Sequence, residues 1–446
     1  MKKVLEEQIV LFISVLKWII LATIVGVIVG LSTGIFLKLL HLSTKFTTSY
    51  PYYFLFLPFA LFISNILVMY LAPDAEGHGT EKVIEAVHRY SGKIKPSVVP
   101  VKLIATIITI AGGGSVGKEG PCAQIGAGLS SIFADFLRLD DNDRKKLVIC
   151  GISAGFASVF GTPIAGGIFG VEVLYVGSIL YEVILPSFIA GIVSYHVTSS
   201  LGITYLYHPI NFMPVFRGTF MLKVILAGIF FGICSCILIE IMKQIKRFEE
   251  RIFLKKPFKS LLGGFILIIL TFIFSGRYLG LGIETIQKVL EGGEVVWYAF
   301  ILKILFTSIT LNFGGSGGIV TPIFFIGATS GTLFAKLAGV NSSTFAAIGL
   351  VALLAGAANT PISASIMSIE LFGTKIAPYA SIACVISFIM TGYRSVYPSQ
   401  ILFIKKTESI EAELGKELES VKPDLKPRKK SLIYMFLKFV EKIRKK

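Results

Sequence analysis

The sequence predicts an all-α polytopic membrane protein made of two repeated halves with many broken helices. Of its 446 residues, 54% are hydrophobic and only 16% are charged, whereas roughly a quarter of the residues in soluble domains are charged. Several apolar segments approach the roughly 20 residues that a helix needs to cross the hydrocarbon core of a membrane. An internal repeat with an offset of 201 residues indicates that one design occurs twice along the chain.

The apolar segments are uneven in length, and several are interrupted by glycine or proline. The chain begins MKKVLEEQIV and continues without a small-residue cleavage site, so we interpret its start as a retained first helix rather than a signal peptide. Broken segments at membrane depth survive only where protein or a water-filled cavity surrounds them, and in transporters they indicate a substrate site near the midplane. The candidate segments are Leu11–Leu40, Tyr53–Leu71, Leu180–Val197, Met221–Ile241, Leu261–Phe274, Trp297–Leu311, Thr344–Leu371 and Ile376–Met390.

The net charge of +16 is concentrated in a loop after residue 242 and in the C-terminal tail. Lys243–Lys259 contains seven Lys or Arg, and the last 42 residues contain thirteen. Basic residues in short loops favour the cytoplasmic side, so both regions and the N-terminus are expected to face inward. Orientation and attraction to anionic lipid explain this charge without any nucleic-acid partner. The five cysteines lie in or at the ends of apolar segments, without the spacing of a zinc site or a disulfide framework.

The repeat is clearest where Lys102–Ala127 falls on Lys303–Ala328. Twelve of these 26 positions are identical, and they include four glycine pairs, a serine pair and a proline pair in register. The identical pairs are Lys102/Lys303, Thr106/Thr307, Ile108/Ile309, Thr109/Thr310, Gly113/Gly314, Gly114/Gly315, Ser115/Ser316, Gly117/Gly318, Pro121/Pro322, Ile125/Ile326, Gly126/Gly327 and Ala127/Ala328.

A second pair of matching segments extends the duplication. GTPIAGGIFGVEVL (161–174) is similar to NTPISASIMSIELF (359–372), and each has a glutamate nine residues after its proline. We expect these two residues, Glu172 and Glu370, to act as structural carboxylates that cap or pair within the helix bundle.

The stretch GGGSVGKEGP (112–121) combines flexible backbone, a lysine next to a glutamate, and a proline directly after an apolar segment. A proline that follows a glycine-rich loop is typical of a helix start. Pro121 therefore predicts a helix over Cys122–Leu137, and Pro322 predicts one over Ile323–Leu337. Each start exposes free N–H groups and about half an elementary positive charge. Two such starts aimed at one point would bind an anion weakly enough to release it.

Glu119 is the acidic residue of this stretch, and a carboxylate near the bilayer midplane costs about 2.5–3.5 kcal/mol on insertion scales. The N–H groups that bind an anion would also bind this carboxylate. We therefore expect Glu119 to occupy the place of the anion when ionised and to leave it when protonated, as a gate and a potential proton carrier. Its equivalent in the second repeat is Val320. The alternatives are a solvated surface loop and a phosphate-binding loop, although the G-x-x-x-x-G-K-[ST] pattern is missing.

At these residues the chain resembles the CLC family of chloride channels and chloride/proton antiporters. GSVGKEGP resembles the family's G-[KR]-E-G-P signature, with Glu119 at the external gating glutamate, and GGIVTP (317–322) resembles G-x-F-x-P with Val320 at the phenylalanine. GHGT (77–80) resembles G-S-G-I-P more loosely, with His78 at the serine. SVYPSQ (395–400) has Tyr397 at the position of the pore tyrosine. The likeness extends over residues 10 to 405.

This resemblance implies an inverted-repeat homodimer in a prokaryotic plasma membrane, with both termini cytoplasmic and an independent anion pathway in each subunit. It implies chloride as the substrate, coupling to protons as an antiporter, gating by Glu119, and no cofactor or metal. The anion-binding residues that it implies are His78, Gly79, Thr80, Lys118, Gly120, Ile319, Val320 and Tyr397, with Pro121 and Pro322 at the helix starts.

Two departures from the family pattern leave alternatives open. At the serine position, the imidazole of His78 could donate to the anion and make its affinity depend on pH, or the histidine could merely face the vestibule while Thr80 or the backbone binds. Val173 stands where many antiporters of the family have an internal proton glutamate, which favours the alternative of a passive chloride channel. A fluoride-exporting CLC is a further alternative, since that branch also alters the serine position. Tyr397 and the close match of GKEGP count against it.

The resemblance and the composition also predict the domain organisation. We expect a transmembrane domain over residues 1–404, with repeat halves at about 10–200 and 215–400, and a basic cytoplasmic tail over 405–446. The tail is too short for the paired regulatory domains of the larger family members. Within it, 411–430 predicts a partly helical linker, and 431–446 predicts a helix on the membrane surface.

An intramembrane enzyme is the competing function. His78, Glu81, Glu85 and His88 cluster in one amphipathic stretch, GHGTEKVIEAVH. Metal-dependent membrane hydrolases need paired ligands such as H-E-x-x-H, and this stretch lacks that spacing. We therefore predict that the protein is not an enzyme.

Overall fold

The computed structural model describes residues 2–210, 218–427 and 434. Within these residues, each half of the chain forms eight α-helices, and each helix of the first half has a counterpart in the second. The first half consists of α1 (Lys2–Thr48), α2 (Leu57–Leu71), α3 (Thr80–Arg89), α4 (Val98–Ala111), α5 (Glu119–Phe136), α6 (Asp141–Phe160), α7 (Pro163–Glu172) and α8 (Tyr181–Ser200). The second half consists of α9 (Gly218–Glu250), α10 (Lys256–Phe274), α11 (Ile283–Leu290), α12 (Ala299–Asn312), α13 (Val320–Ala338), α14 (Ser342–Ala358), α15 (Pro361–Phe372) and α16 (Ala377–Met390).

Short elements complete the described fold. Strand β1 (Tyr175–Val176) pairs in parallel with β2 (Ile401–Leu402), and β3 (Ile410–Glu411) pairs antiparallel with β4 (Asp424–Leu425). Turns of 3-10 helix cover Tyr53–Phe56, Pro73–Ala75 and Gly276–Tyr278.

The predicted all-α polytopic membrane fold is confirmed. Among the described residues, six helical segments are long and apolar enough to cross a membrane, namely α1, Tyr53–Leu71, α8, α9, α10 and α13. The predicted segment Thr344–Leu371 is wrong as a single span, because it is divided between α14 and α15. Asn359 ends α14 in a left-handed conformation with φ of 57°, and Pro361 starts α15 because a proline is tolerated in the first turn.

The core of the protein is formed by central helices from both repeats, which the longer membrane-spanning helices surround. Helices α5, α6, α13 and α14 are buried over most of their length, and small residues let them approach closely. A Cβ on Gly126 would lie 2.4 Å from the carbonyl oxygen of Gly151, and a Cβ on Gly327 would lie 2.3 Å from that of Gly349. The identical Gly126 and Gly327 are thus explained by equivalent helix contacts, α5 on α6 and α13 on α14.

The two matching glutamates cap helices of the opposite repeat. The carboxylate of Glu172, at the end of α7, accepts hydrogen bonds from the N–H groups of Ile362 (2.9 Å) and Ser363 (2.8 Å), at the start of α15. Glu370, near the end of α15, accepts hydrogen bonds from Ile164 and Ala165 at the start of α7, both at 2.9 Å. The structure therefore places both carboxylates in the capping role expected for them.

The segment after residue 404 differs from the sequence-based expectation. The prediction of a partly helical linker over 411–430 is wrong for its described part, which contains β3, β4 and turns up to residue 427. This part packs against the membrane domain, since the N–H of Leu418 donates to the carbonyl oxygen of Gln400 at 2.9 Å and Glu417 forms an ion pair with Arg89 of α3. The surface helix predicted for 431–446 lies outside the described residues, apart from Tyr434.

Candidate functional site

The starts of α5 and α13 meet in the middle of the molecule. The loops before them pair through Gly117 and Gly318, whose N–H groups and carbonyl oxygens exchange two hydrogen bonds of 2.7 and 2.6 Å. The predicted starts at Cys122 and Ile323 are wrong by three residues, because α5 begins at Glu119 and α13 at Val320. Pro121 and Pro322 are the third residues of their helices, where the missing N–H would have had no intrahelical partner.

Hydroxyl groups from both repeats hold these loops together. The N–H of Ser115 donates to the hydroxyl of Thr310 (3.1 Å), and the N–H of Ser316 donates to that of Thr109 (3.0 Å). These contacts are equivalent across the repeat. They explain why threonine and serine stand in register in the two halves.

The carboxylate of Glu119 reaches from α5 to the start of α13. One oxygen accepts a hydrogen bond from the N–H of Val320, and the other accepts one from the hydroxyl of Thr321 at 2.7 Å. The side chain is buried, with the whole residue 1% exposed. The ionised group therefore sits on the donors that a helix start offers to an anion.

Thr321 is a site residue that the sequence reasoning missed. It lies one residue before Pro322 and is equivalent to Gly120 in the first repeat. The difference between Thr321 and Gly120 could have indicated this residue from the sequence, because a hydroxyl that replaces glycine beside a helix start adds a hydrogen-bond donor to the site.

The loop before α3 packs directly against the start of α5. A Cβ on Gly120 would lie 1.9 Å from the carbonyl oxygen of His78, so this position accepts only glycine without a shift of backbone. Gly79 adopts a φ of 83°, and a Cβ there would lie 2.5 Å from the carbonyl oxygen of Gly120. Both glycines therefore permit His78 and Thr80 to lie next to the start of α5.

Tyr397 lies between this loop and Glu119. Its side chain is 1% exposed, its ring centroid lies 5.5 Å from that of His78, and its hydroxyl interacts with the side chain of Thr80. The tyrosine also interacts electrostatically with Glu119. Nδ1 of His78 is buried without a hydrogen-bond partner among the described residues, so this atom is free to bind a further group.

Two buried lysines hold the loops that precede the short helices α3 and α11. The ammonium of Lys102 donates to the carbonyl oxygens of Ala75 (3.0 Å) and Gly77 (2.6 Å). The equivalent Lys303 donates to those of Tyr278 (3.1 Å) and Gly280 (2.8 Å). The first lysine also acts electrostatically on His78.

The remaining predicted residues lie at the helix starts. Lys118 and Ile319 are the residues directly before α5 and α13, and their carbonyl oxygens accept the first hydrogen bonds of the helices, from Cys122 at 3.2 Å and Ile323 at 3.0 Å. Ile319 and Val320 are buried. The structure thus brings all the predicted anion-binding residues to one region. Lys118 and Ile319 belong to it through their backbone carbonyl groups, which accept the first hydrogen bonds of α5 and α13.

The residues of the competing enzyme hypothesis do not form a metal centre. Nε2 of His88 lies 3.0 Å from the carbonyl oxygen of Leu174, and Glu85 forms ion pairs with Lys82 (2.9 Å) and Arg89 (3.2 Å). Over residues 2–210, 218–427 and 434, no group of three His, Cys, Asp or Glu side chains is arranged to bind a metal.

Sequence comparison identifies relatives over nearly the whole membrane part. The family model described as voltage gated chloride channel matches residues 59–392. A protein of Pseudomonas syringae pv. tomato named chloride/fluoride channel protein is 33% identical over 401 residues, which cover 88% of this chain and 88% of that protein.

Solved structures with the same fold support this assignment. A CLC-type fluoride/proton antiporter superposes with a TM-score of 0.83 at 27% identity, over 86% of this chain and 98% of that one. A slow cyanobacterial chloride/proton antiporter superposes with a TM-score of 0.73 at 19% identity, over 84% and 94%, which shows the shared fold. The chain therefore belongs to the voltage-gated chloride channel (CLC) family and transports anions across a membrane.

Proposed function

We propose that this protein exchanges a halide for protons and that Glu119 both gates the anion pathway and carries the proton. The observation that supports this proposal is the position of its carboxylate on the N–H of Val320 and the hydroxyl of Thr321. An ionised carboxylate competes with an anion for these donors. A protonated one loses most of that attraction, leaves, and takes a proton with it.

The comparisons favour exchange over passive conduction. The two solved relatives described above are both antiporters, and the more similar of them exchanges fluoride for protons. A passive channel is favoured by the buried Val173 at the position of the internal proton glutamate and by the name of the 33% identical relative, chloride/fluoride channel protein. This alternative is therefore an outcome of the experiment below.

Fluoride is the second candidate for the transported ion, beside chloride. The relative with 33% identity is named for both anions, and the solved relative above 25% identity is named for fluoride. Fluoride is small and a strong hydrogen-bond acceptor, so it needs strong donors to replace its water. The hydroxyl of Thr321 at the start of α13 would be such a donor.

Reconstitution into liposomes tests the proposal. A gradient of fluoride or chloride is imposed, and an anion-selective electrode and a pH electrode record both fluxes. We expect the anion gradient to drive protons uphill in the wild-type protein. In Glu119→Gln we expect anion efflux without proton movement and without pH dependence, because an amide does not titrate. Glu182→Gln, at an exposed ion pair with Lys146, is the control.

Two results would contradict the proposal. Proton pumping that persists in Glu119→Gln would exclude this residue as the proton carrier. Anion efflux without proton pumping in the wild-type protein would indicate a passive channel. The ratio of fluoride to chloride efflux decides between the two candidate ions.

The proposal also includes the oligomeric state of the protein and its orientation in the membrane. We propose a homodimer in a plasma membrane with both termini on the cytoplasmic side. The basic segment around Lys256 supports this orientation, because Lys256 pairs with Glu76 beside the loop of His78 and Arg89 pairs with Glu417 of the tail. Both contacts place basic residues at the same end of the molecule.

A further inference from the structure

Exchange requires a proton route from the end of the molecule opposite Glu119, and Val173 cannot supply one. Val173 is fully buried, and its carbonyl oxygen is bound by Gln400 at 2.8 Å. A valine side chain has no group that binds a proton. If protons cross the protein, water or another residue must carry them at the inner end of the pathway.

Glu81, in the first turn of α3, has the contacts expected of such a residue. One carboxylate oxygen accepts hydrogen bonds from the N–H of Ser399 at 2.9 Å and from the hydroxyl of the same residue. The other oxygen is buried and has no partner among the described residues. A buried carboxylate oxygen without a donor is costly, and a proton on that oxygen relieves the cost.

Tyr397 connects the two carboxylates. It interacts electrostatically with Glu119 and also with Glu81, and Ser399, the partner of Glu81, lies two residues further along the same segment. Glu81 is therefore close to the anion pathway at the level of the pore tyrosine.

The next turn of α3 opens toward solvent. Lys82 and Glu85 line a cavity of about 450 Å³ together with Lys93, Lys95 and Asp135. Glu81 and Glu85 are one helical turn apart, so the distance from this cavity to the buried carboxylate is short. The ion pair of Arg89 with Glu417 places this end of α3 on the side of the tail.

We propose that Glu81 is the internal proton acceptor and donor of the exchange cycle. This proposal rests on the proposed antiport. A hydronium ion in the cavity gives one proton to the free oxygen of the ionised Glu81, so that Glu81 becomes a neutral acid and the hydronium ion becomes water. That acid then returns one proton, through water beside Tyr397, to the ionised carboxylate of Glu119, and Glu81 is again an anion. Each cycle thus moves one proton from the cavity to Glu119 and leaves Glu81 unchanged.

The groups that face Glu81 are suited to this alternation. Glu85 and Lys82 act on it from its own helix with opposite sign, and Ser399 binds its ionised form from the segment packed against it. Tyr397 also interacts with it electrostatically. No full positive charge contacts Glu81 directly among the described residues, so its ionised form is not fixed by an ion pair.

Glu81→Gln tests the proposal in liposomes under an imposed anion gradient. Glutamine keeps the size of the side chain and an oxygen that can accept from Ser399, but it cannot carry a proton. We expect anion efflux within about threefold of wild type and proton flux lower by about a hundredfold, within the usual range for loss of a proton-transfer group. The control is Glu182→Gln, which removes the same charge from a surface ion pair with Lys146 and should retain coupling.

Ser399→Ala is the second variant, and it remains informative if Glu81→Gln fails to fold. It removes the hydroxyl donor but keeps the backbone N–H, which favours the protonated form of Glu81. We expect the pH at which proton flux is half-maximal to rise. A purely structural role of Glu81 would not move this pH profile.

The outcomes separate this inference from the proposed function. Coupled wild-type protein with coupling unchanged in Glu81→Gln would overturn only the role of Glu81. Equal loss of coupling in Glu81→Gln and Glu182→Gln would also overturn it, because the loss would then not be specific to Glu81. Wild-type protein that moves anions without protons would overturn both proposals.

Discussion

At the scale of single residues, Glu119 and Thr321 form the contact on which gating depends in this account. The carboxylate comes from the first repeat, while the N–H of Val320 and the hydroxyl of Thr321 come from the second. Hydrogen bonds to a charged group contribute about 1.5–3 kcal/mol each. Two of them are comparable with the insertion cost of about 2.5–3.5 kcal/mol for a buried carboxylate. These donors therefore offset the cost of burying the ionised Glu119, and in the proposed gate they become available to an anion when the carboxylate leaves.

Thr321→Val is expected to open the pathway at higher pH. Valine keeps the branched shape but removes a donor to the ionised carboxylate, so the protonated, open form of Glu119 becomes more populated. A loss of about 1.5 kcal/mol corresponds to a rise of about one pH unit in the midpoint of anion efflux. Efflux from liposomes measured against pH checks this shift.

Thr329→Val is the matched control for that variant. Its hydroxyl is buried in the same helix and donates to the carbonyl oxygen of Phe325 at 2.7 Å, away from Glu119. An unchanged midpoint in Thr321→Val, or an equal rise in both variants, would mean that the contact with Thr321 does not set the gate.

At the scale of elements, the reciprocal caps of α7 and α15 tie the two repeats together. Each helix ends near a glutamate that binds the first N–H groups of the other helix. A carboxylate at a helix start satisfies donors that have no intrahelical partner and interacts favourably with the helix dipole. The pair is therefore a structural device of the duplicated fold.

Glu172→Gln and Glu370→Gln are each expected to lower the free energy of unfolding by about 1–2 kcal/mol, since one N–H loses its acceptor. The loss should be larger for Glu172, which is 4% exposed, than for the half-buried Glu370. Thermal unfolding of the purified protein in detergent measures both. Glu182→Gln at the surface should change stability by less than about 0.5 kcal/mol, and equal effects in all three would contradict the capping role.

The tail is attached to α3 by an ion pair that depends on pH. The Nε of Arg89 donates to Glu417 at 2.8 Å, and this hydrogen bond to the guanidinium holds the pKa of Glu417 below its ordinary value of 4.5. A lowered carboxyl pKa means that the contact is fully present above pH 4.5 and is lost as the pH falls through the lowered value. The pair is partly exposed, so its contribution is at most about 1 kcal/mol.

Glu417→Gln should imitate the effect of low pH at neutral pH. Hydrogen exchange of the amides in 410–420 should become several-fold faster, in line with a loss of about 1 kcal/mol or less. Glu413→Gln is the control, because Glu413 pairs only with Lys416 within the tail among the described residues. Equal acceleration in both variants would argue against a specific attachment through Arg89.

At the scale of the whole molecule, the repeat was the most informative part of the sequence. The in-register Thr109/Thr310 and Ser115/Ser316 pairs predicted two related halves, and the structure shows these residues bonded across the repeat. Composition predicted the membrane fold because lipid excludes charged residues from spanning helices. The short motifs around Glu119 and Tyr397 predicted the family, and the comparisons confirm this family membership.

Other features depend on contacts between distant segments and could not be read from local patterns. The true helix starts at Glu119 and Val320 precede the prolines because the paired loops, not the prolines, fix the first turn. Thr321 could be recognised only once α13 was placed opposite Glu119. In the tail, β3 pairs with β4 and Glu417 contacts Arg89 of α3, whereas the charged sequence alone suggested a helix.

The most direct test of the central claim is an experimental structure of Glu119→Ala solved at high chloride and at high fluoride, beside the wild type. Alanine cannot reach the start of α13, so its donors become free. We predict an anion within hydrogen-bond distance of the N–H of Val320 and the hydroxyl of Thr321 in the variant, and the carboxylate of Glu119 in that place in the wild type. An empty start of α13 in the variant, with anions bound only elsewhere, would contradict the account.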